Sequence, residues 1–173
     1  MKKSIKQICI IGMPGSGKST IGRILSERLN YKFYDTDENI ENTMNLSIKD
    51  IFKIKGEMFF RDIEKKEFKK LMIINNVIIS TGGGIILNNE NLLKKSFNIY
   101  LECKLDILIQ RASRNQNRPL LLEDIEKKMK KLFNQRKDIY NRISDLKIDT
   151  NYNIKKAIDN ILNKLPNDIK KKH

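Results

Sequence analysis

Short apolar runs alternate along the chain with longer stretches in which apolar residues recur every three or four positions. The short runs are rich in isoleucine and valine and predict strands, whereas the longer stretches predict amphipathic helices. Strands are expected at about 7–12, 32–35, 77–80, 98–102 and 146–149, and helices at about 17–29, 37–44, 47–54, 57–72, 89–95, 104–112, 123–142 and 153–164. Such alternation favours an α/β fold in which a five-stranded parallel sheet carries helices on both faces.

Two segments lack this periodicity. Residues 113–124 (SRNQNRPLLLED) are polar and then apolar, and we interpret them as a loop beside the ligand site. The residues after Leu165 (PNDIKKKH) are expected to fray. The sequence therefore predicts one domain over residues 1–165 and a basic tail over 166–173.

Composition narrows the class of protein. The chain has 173 residues and a formal net charge of +14, carried mainly by lysine. We interpret these lysines as solvated helix faces rather than as a nucleic-acid surface, because no nucleic-acid-reading motif accompanies them. No apolar run approaches the length of about 20 residues that spans a bilayer. Cys9 and Cys103 stand alone, as expected for buried thiols of a cytoplasmic protein.

The segment GMPGSGKS, from Gly12 to Ser19, matches the phosphate-loop pattern between a predicted strand and a predicted helix. Its backbone N–H groups and the helix N-terminus suit a phosphate. Lys18 is expected to reach the β- and γ-oxygens, and Ser19 to bind Mg²⁺. The predicted nucleotide contacts are Gly12, Pro14, Gly15, Ser16, Gly17, Lys18, Ser19 and Thr20. We therefore expect ATP, or another nucleoside triphosphate, with Mg²⁺.

Two aspartates end the second predicted strand. Asp35 and Asp37 are two residues apart, which places both carboxylates on one side of an extended segment. Beside a nucleotide, such carboxylates bind Mg²⁺ through water or accept a proton from a hydroxyl group. The alternative is that Asp37 only caps the following helix.

Arginines indicate an anionic acceptor. Glu57, Arg61 and Glu64 share one face of a predicted helix, so the acids can orient the guanidinium toward a substrate carboxylate. A surface ladder of ion pairs is the alternative. Because Arg136 follows later in the chain and Asp37 suits a hydroxyl group, the sequence favours phosphorylation of a hydroxylated acid.

Taken together, these motifs resemble the shikimate kinase family. The resemblance rests on seven segments in order across nearly the whole chain: GMPGSGKST, DTD, GEMFFR, GGG, RPLL, QRKDIY and IDTN. It implies a P-loop kinase of the nucleoside-monophosphate-kinase type. The implied reaction transfers the γ-phosphoryl group of ATP to the 3-hydroxyl of shikimate, a step of aromatic amino-acid biosynthesis.

The resemblance also assigns roles. It implies that Asp37, Arg61, Gly83 and Arg136 contact shikimate and that Asp35 is an outer-sphere acid of Mg²⁺. Arg118 is similar to an arginine that a lid over residues 113–124 brings onto the transferred phosphate. The implied catalytic residues are Lys18, Asp37 and Arg118.

On the adenine side, Arg111 is similar to an arginine that lies against the base. The family commonly has an arginine and a proline after IDTN, whereas this chain has Tyr152, Asn153 and Ile154. We expect the Asn153 backbone and Ile154 to hold the base instead. Ser80 is expected to act on the metal through water.

Three glycines, Gly82, Gly83 and Gly84, interrupt the apolar segment VIISTGGGII. We interpret them as the place where the backbone approaches a small substrate, with the Gly83 N–H as a donor and with positive φ angles that other residues avoid. The alternative is a surface turn.

Four other functions share some of these features. They are a kinase for gluconate, a nucleoside monophosphate kinase, a nucleic-acid-dependent ATPase and a catalytically silent interaction module. The two arginines and the glycine segment favour shikimate, and the intact Lys18 and Asp37 disfavour a silent module. We expect a monomer that binds shikimate and ATP, without a nucleic-acid or membrane partner.

Overall fold

Five strands form one parallel sheet in the computed structural model, which describes residues 6–114 and 122–170. The strands are β1 (Gln7–Ile11), β2 (Lys32–Asp35), β3 (Val77–Ser80), β4 (Phe97–Glu102) and β5 (Leu146–Asp149). Their order in the sheet is β2-β3-β1-β4-β5, and every neighbouring pair is parallel. The predicted α/β fold, with its five parallel strands, is confirmed.

Helices connect the strands as the periodicity predicts. They are α1 (Lys18–Leu29), α2 (Thr36–Met44), α3 (Ile48–Leu71), α4 (Glu90–Leu93), α5 (Leu105–Arg114), α6 (Leu122–Ile143), α7 (Ile154–Lys164) and α8 (Asn167–Lys170). None of the helices in the described ranges combines the length and apolar content that a membrane span requires.

Two apolar cores explain the strand sequences. On one face, Ile8 and Ile10 of β1 pack in a cluster with residues of α1 and α7. On the other face, Cys9 and Ile11 join a cluster with residues of α3, α5 and α6. Because helices cover both faces, the strand is apolar at every buried position rather than at alternate ones.

The strand order brings three strand ends together. The phosphate loop follows β1, Asp35 ends β2, and the three glycines follow β3. Since β3 pairs with both β1 and β2, all three segments emerge at one edge of the sheet. This is the edge at which ligands of open α/β sheets bind.

Helix α3 is broken at Gly56. This residue has φ 81° and ψ 169°, which interrupt the helical path. The sequence predicts two helices separated near this residue, and the break confirms that division. The second half of α3 carries Arg61 and Glu64 toward the sheet edge.

A 3₁₀ helix, Ile85–Leu87, follows the three glycines, beyond the strand predicted over residues 77–80. One local expectation is wrong. The chain does not fray directly after Leu165: residues 167–170 form α8, and Ile169 is only 1% exposed in the core beside α7. Burial of the Ile169 side chain removes apolar surface from water and so stabilises this helix.

We expect Ile169→Ala to lower the free energy of unfolding by about 2 kcal/mol or more, because it leaves a cavity in the core. Urea denaturation followed by circular dichroism measures the change. Ile73→Ala is the matched control, since Ile73 is 81% exposed. Equal unfolding free energies for the two variants would mean that α8 does not contribute to the core.

Candidate active site

The phosphate loop has the backbone that an anion site requires. Gly15 and Gly17 have φ angles of 81° and 93°, which only glycine adopts without strain. The Lys18 ammonium group donates to the carbonyl oxygens of Gly12 (3.1 Å) and Met13 (3.0 Å). Burial lowers the pKa of Lys18 to about 8, an effect that the nearby Asp37 carboxylate opposes. The lysine therefore lies inside the loop that the motif predicted.

The other residues predicted for the phosphate loop differ in their exposure to solvent. Ser16 is 1% exposed, and its Oγ has no hydrogen-bond partner among the described residues. Pro14 is exposed, and Thr20 is exposed in the first turn of α1.

Ser19 and Asp35 form a pair of hard oxygen ligands. Ser19 Oγ donates to Asp35 Oδ2 (2.6 Å) and lies 3.3 Å from Ser80 Oγ. The described residues contain no cluster of three or more histidine, cysteine, aspartate or glutamate side chains that would hold a metal on its own. The pair instead suits Mg²⁺, which commonly takes one or two protein ligands together with phosphate oxygens and water.

Asp35, not Asp37, caps helix α2. Asp35 Oδ1 accepts hydrogen bonds from the backbone N–H groups of Asp37 (3.0 Å) and Glu38 (3.3 Å). The alternative in which Asp37 caps the helix is wrong, because the helix begins at Thr36 and Asp37 already lies in its first turn. The cap leaves the Asp37 side chain free of that role and turned into the cleft, beside the glycines.

Asp37 is an acid in a low-dielectric position. Its Oδ1 is buried and has no hydrogen-bond partner within residues 6–114 and 122–170. Burial, together with the negative charges of Asp35 and Glu64, raises the pKa of Asp37 to about 6. This value lies above that of an ordinary aspartate, and it makes Asp37 a stronger base at neutral pH.

Arg61 is held as a fixed fork. Its Nη1 donates to Glu64 Oε2 (2.7 Å), and its Nη2 donates to Glu57 Oε1 (3.4 Å). Glu64 is 1% exposed, so this arrangement is not a ladder of ion pairs on the surface. The guanidinium also lies 5.2 Å from the ring centroid of Phe60. Both acids predicted to orient Arg61 do so.

Arg136 enters the same cleft from α6. It is 7% exposed, and its Nε has no hydrogen-bond partner in the part of the chain that the structure describes. A Cβ atom on Gly83 would lie 3.2 Å from Arg136 Nη1. The glycine segment thus lies between two arginines that are far apart in sequence.

The three glycines make room for charged groups. A Cβ on Gly82 would lie 2.6 Å from Asp37 Oδ1, and one on Gly84 would lie 2.6 Å from Arg61 Nη2. The expectation of positive φ is wrong: in the described residues the glycines with positive φ are Gly12, Gly15, Gly17 and Gly56. The segment therefore needs glycine for close approach, not for its backbone angles, and it is not a surface turn.

Two residues that fix the glycine segment were not identified from the sequence. The Gly82 N–H donates to Thr36 Oγ1 (2.8 Å), and the Tyr140 hydroxyl lies 3.0 Å from the carbonyl oxygen of Gly12 and 2.5 Å from that of Gly83. Tyr140 lies one helical turn after Arg136, which is the one signal that could have indicated it.

Buried polar atoms without partners gather in this cleft. Within the described ranges they include Ser16 Oγ, Asp37 Oδ1, Glu64 Oε1 and Arg136 Nε. Such atoms are rare in folded proteins because leaving them unpaired costs free energy. Their concentration indicates a polar ligand.

A cavity of about 340 Å³ opens between the phosphate loop and α2. It is lined by Lys18, Ser19, Arg23, Asp35, Asp37, Glu38, Glu41, Ser80 and Thr81. The sequence did not single out Arg23, Glu38 or Glu41, whose spacing resembles that of ordinary surface charges.

The predicted adenine side is joined to the phosphate loop. Arg111 donates to the carbonyl oxygens of Gly15 (3.2 Å) and Thr150 (2.8 Å). Asn153 caps α7 by accepting from the Lys155 N–H (2.8 Å), and Ile154 is 43% exposed. Arg111 thus contacts the phosphate loop directly, while contact of Arg111, Asn153 and Ile154 with a base stays a prediction.

Arg118 lies outside the described residues, as does much of the lid predicted over residues 113–124. Their roles stay predictions.

A phosphate loop after the central strand of a parallel sheet, opposite a partly buried aspartate and two arginines, defines a P-loop kinase for a small anionic acceptor. A family model for shikimate kinase matches residues 14–166. The chain belongs to the shikimate kinase family.

Curated relatives are similar to this chain over almost its full length. The chain is 40% identical over 171 residues to a shikimate kinase of a Sulfurihydrogenibium species, a match that covers 97% of this chain and 100% of the relative. It is 43% identical over 170 residues to a shikimate kinase of Rippkaea orientalis, with 95% and 90% covered.

Solved structures share the fold. A shikimate kinase from Acinetobacter baumannii in complex with shikimate superimposes with a TM-score of 0.85 at 33% identity, covering 94% of this chain and 97% of that one. A gluconokinase from Sinorhizobium meliloti superimposes with a TM-score of 0.61 at 15% identity, covering 94% and 92%, a likeness of fold alone.

The glycine segment yields a paired prediction. A methyl group on Gly82 displaces Asp37, whereas one on Gly84 displaces the Arg61 guanidinium. We therefore expect Gly82→Ala to lower kcat and Gly84→Ala to raise the KM of the acceptor, each by about tenfold or more. Steady-state kinetics with both substrates varied measures these effects.

Each variant is the control for the other, and the KM for ATP serves as an internal reference in both. If both variants lost only thermal stability and kept parental kcat and KM, the segment would be a structural turn.

Proposed function

We propose that this protein transfers the γ-phosphoryl group of ATP to the 3-hydroxyl of shikimate, giving shikimate 3-phosphate in aromatic amino-acid biosynthesis. One observation carries the proposal: Arg61 and Arg136 converge on the glycine segment beside Asp37, at the mouth of the phosphate loop. A rigid acid with a carboxylate at one end and hydroxyl groups at the other fits this distribution of charge.

In this proposal the nucleotide binds along the phosphate loop. The backbone N–H groups of the loop surround the phosphates, and Lys18 leaves its carbonyl partners to reach the β- and γ-oxygens. Arg111 and Asn153 border the base, next to the exposed Ile154. Ser19, and Asp35 through water, would hold Mg²⁺, which supplies positive charge against the phosphate oxygens when it is bound.

The acceptor binds against the glycine segment. Arg61 and Arg136 pair with its carboxylate, and the Gly83 N–H donates to one of its oxygens. Asp37 accepts a hydrogen bond from the 3-hydroxyl group. The bound acceptor then supplies hydrogen-bond partners for the buried polar atoms, which offsets the free energy that their burial costs.

Catalysis is mainly positioning and neutralisation of charge. Asp37 orients the attacking hydroxyl group, and its raised pKa of about 6 lets it take the proton as the bond to phosphorus forms. Lys18 stabilises negative charge on the transferred phosphoryl group. Arg118, in its predicted role, adds a second positive charge there. We further propose a monomeric, cytoplasmic enzyme of one kinase domain, without a nucleic-acid partner.

A coupled assay that measures ADP release with Mg-ATP tests the proposal. Shikimate, gluconate, AMP and CMP are offered as acceptors, with DNA and RNA as possible stimulants of ATP hydrolysis. We expect turnover with shikimate alone. Absence of turnover with shikimate, or stimulation by nucleic acid instead, would contradict it.

The pH dependence follows from two shifted groups. Asp37 must be ionised, so activity should rise with pH through about 6, and Lys18 must be protonated, so activity should fall above about 8. We expect a bell-shaped profile of kcat/KM between these limits, measured with each substrate in turn. Lys18→Arg is the control, because arginine stays protonated and removes the alkaline limb. A flat profile from pH 5 to 9 would contradict these roles.

A further inference from the structure

The Tyr140 hydroxyl group joins two loops that are distant in sequence. It lies 3.0 Å from the carbonyl oxygen of Gly12, at the start of the phosphate loop, and also within hydrogen-bond distance of the carbonyl oxygen of Gly83. These contacts span 128 and 57 residues of chain. One side chain thus bridges the donor side of the cleft and its acceptor side.

The tyrosine ring is held firmly. Tyr140 is fully buried, and its ring stacks on that of Tyr100 with centroids 5.1 Å apart and an interplanar angle of 16°. Burial raises the pKa of the Tyr140 phenol well above its usual value, so the group stays a hydrogen donor at working pH. A rigid donor fixes the positions of its acceptors better than a mobile one.

The bridge lies beside the charged groups of the site. The Gly12 carbonyl that faces Tyr140 also accepts from Lys18 Nζ (3.1 Å). One helical turn before Tyr140, the Arg136 guanidinium lies against Gly83, close to where a Cβ would be. A single turn of α6 therefore contributes one arginine to the acceptor side and one hydroxyl group to the backbone of both loops.

We propose that Tyr140 is a positioning residue that fixes the phosphate loop and the glycine segment relative to each other, and so aligns the phosphoryl donor with its acceptor. The inference rests on the proposed function. It concerns a side chain that need not touch either substrate and acts through the backbone of residues that do.

The hydroxyl group has one proton for two carbonyl oxygens. Removing it leaves the Gly83 carbonyl buried without this donor, while Gly12 keeps its contact with Lys18 until a nucleotide takes that lysine away. Without this hydrogen bond, the distance between the glycine segment and the phosphate loop is no longer fixed. In-line transfer is sensitive to such changes, since a misplacement of about 1 Å can lower the rate by about 100-fold.

Tyr140→Phe is the direct test. We expect kcat to fall by about 10- to 100-fold and the acceptor KM to rise, because alignment is lost in the ternary complex. The dissociation constant for ATP alone, measured by calorimetry, should stay within about threefold, because the phosphate loop itself is intact.

Tyr31→Phe is the matched control. The Tyr31 hydroxyl is also buried, but it has no hydrogen-bond partner in the described residues and lies in the core cluster on the opposite face of the sheet. Its removal should leave kcat and both KM values unchanged. Should Tyr140→Phe instead lose only melting temperature and keep parental kcat and acceptor KM in the folded range, Tyr140 is structural and the inference is overturned.

A second variant tests the hydrogen bonds themselves. Replacing Tyr140 with 4-aminophenylalanine keeps the ring and supplies two N–H donors, one for each carbonyl. We expect it to recover most of the activity that phenylalanine loses. A folded variant as impaired as Tyr140→Phe would overturn the hydrogen-bond basis.

The two proposals fail separately. Turnover of the parent protein with shikimate tests the proposed function. The ratio of variant to parent, measured with whichever acceptor the parent phosphorylates, tests the role of Tyr140.

Discussion

The close approach of charged side chains to bare backbone at Gly82, Gly83 and Gly84 is the constraint on which the cleft depends. Asp37, Arg61 and Arg136 come from three different helices, and each reaches the segment because no Cβ stands in its way. The sheet brings these elements together by pairing β3 with both β1 and β2. The fold thus sets the approximate positions of these three side chains, and the absence of Cβ atoms at the glycines allows their final close approach to the backbone.

In this cleft, burial disfavours the charged forms of several ionisable side chains. Burial raises the pKa values of Asp37 and Glu64 and lowers that of Lys18, so each of these groups is charged against the preference of its surroundings. Buried charges are tolerated when they are paired, and here the pairing is partial. Glu64 Oε2 accepts a hydrogen bond from Arg61, whereas Glu64 Oε1 has no hydrogen-bond partner among the described residues. A ligand with both negative charge and hydroxyl groups completes what the protein leaves open.

The sequence predicts the strands, the phosphate loop and the orientation of Arg61 because these depend on local pattern and spacing. It cannot predict Tyr140, whose partners are remote in the chain, or the reason for the glycines, which depends on side chains from other helices. The capping of α2 by Asp35 rather than Asp37 depends on a shift of two residues, which is finer than periodicity resolves. The burial of Ile169 depends on how the last helix folds back onto α7. Features that depend on neighbouring positions can thus be predicted from the sequence, whereas contacts between distant segments can be identified only in the folded structure.

The raised pKa of Asp37 has a consequence for folding. A carboxyl group whose pKa is higher in the folded protein than in the unfolded chain destabilises the native state above that pKa, and stabilisation returns as pH falls from about 6 toward the unfolded value of about 3.8. Lys18 also destabilises the native state at neutral pH, because burial disfavours its ammonium ion, and this cost disappears as pH rises from about 8 toward the unfolded value of 10.5. At neutral pH, therefore, these charged groups lower the stability of the folded state, and burial of the two apolar cores offsets that cost. Negatively charged phosphates can pair with the Lys18 ammonium group, so nucleotide binding offsets the part of this cost that Lys18 carries.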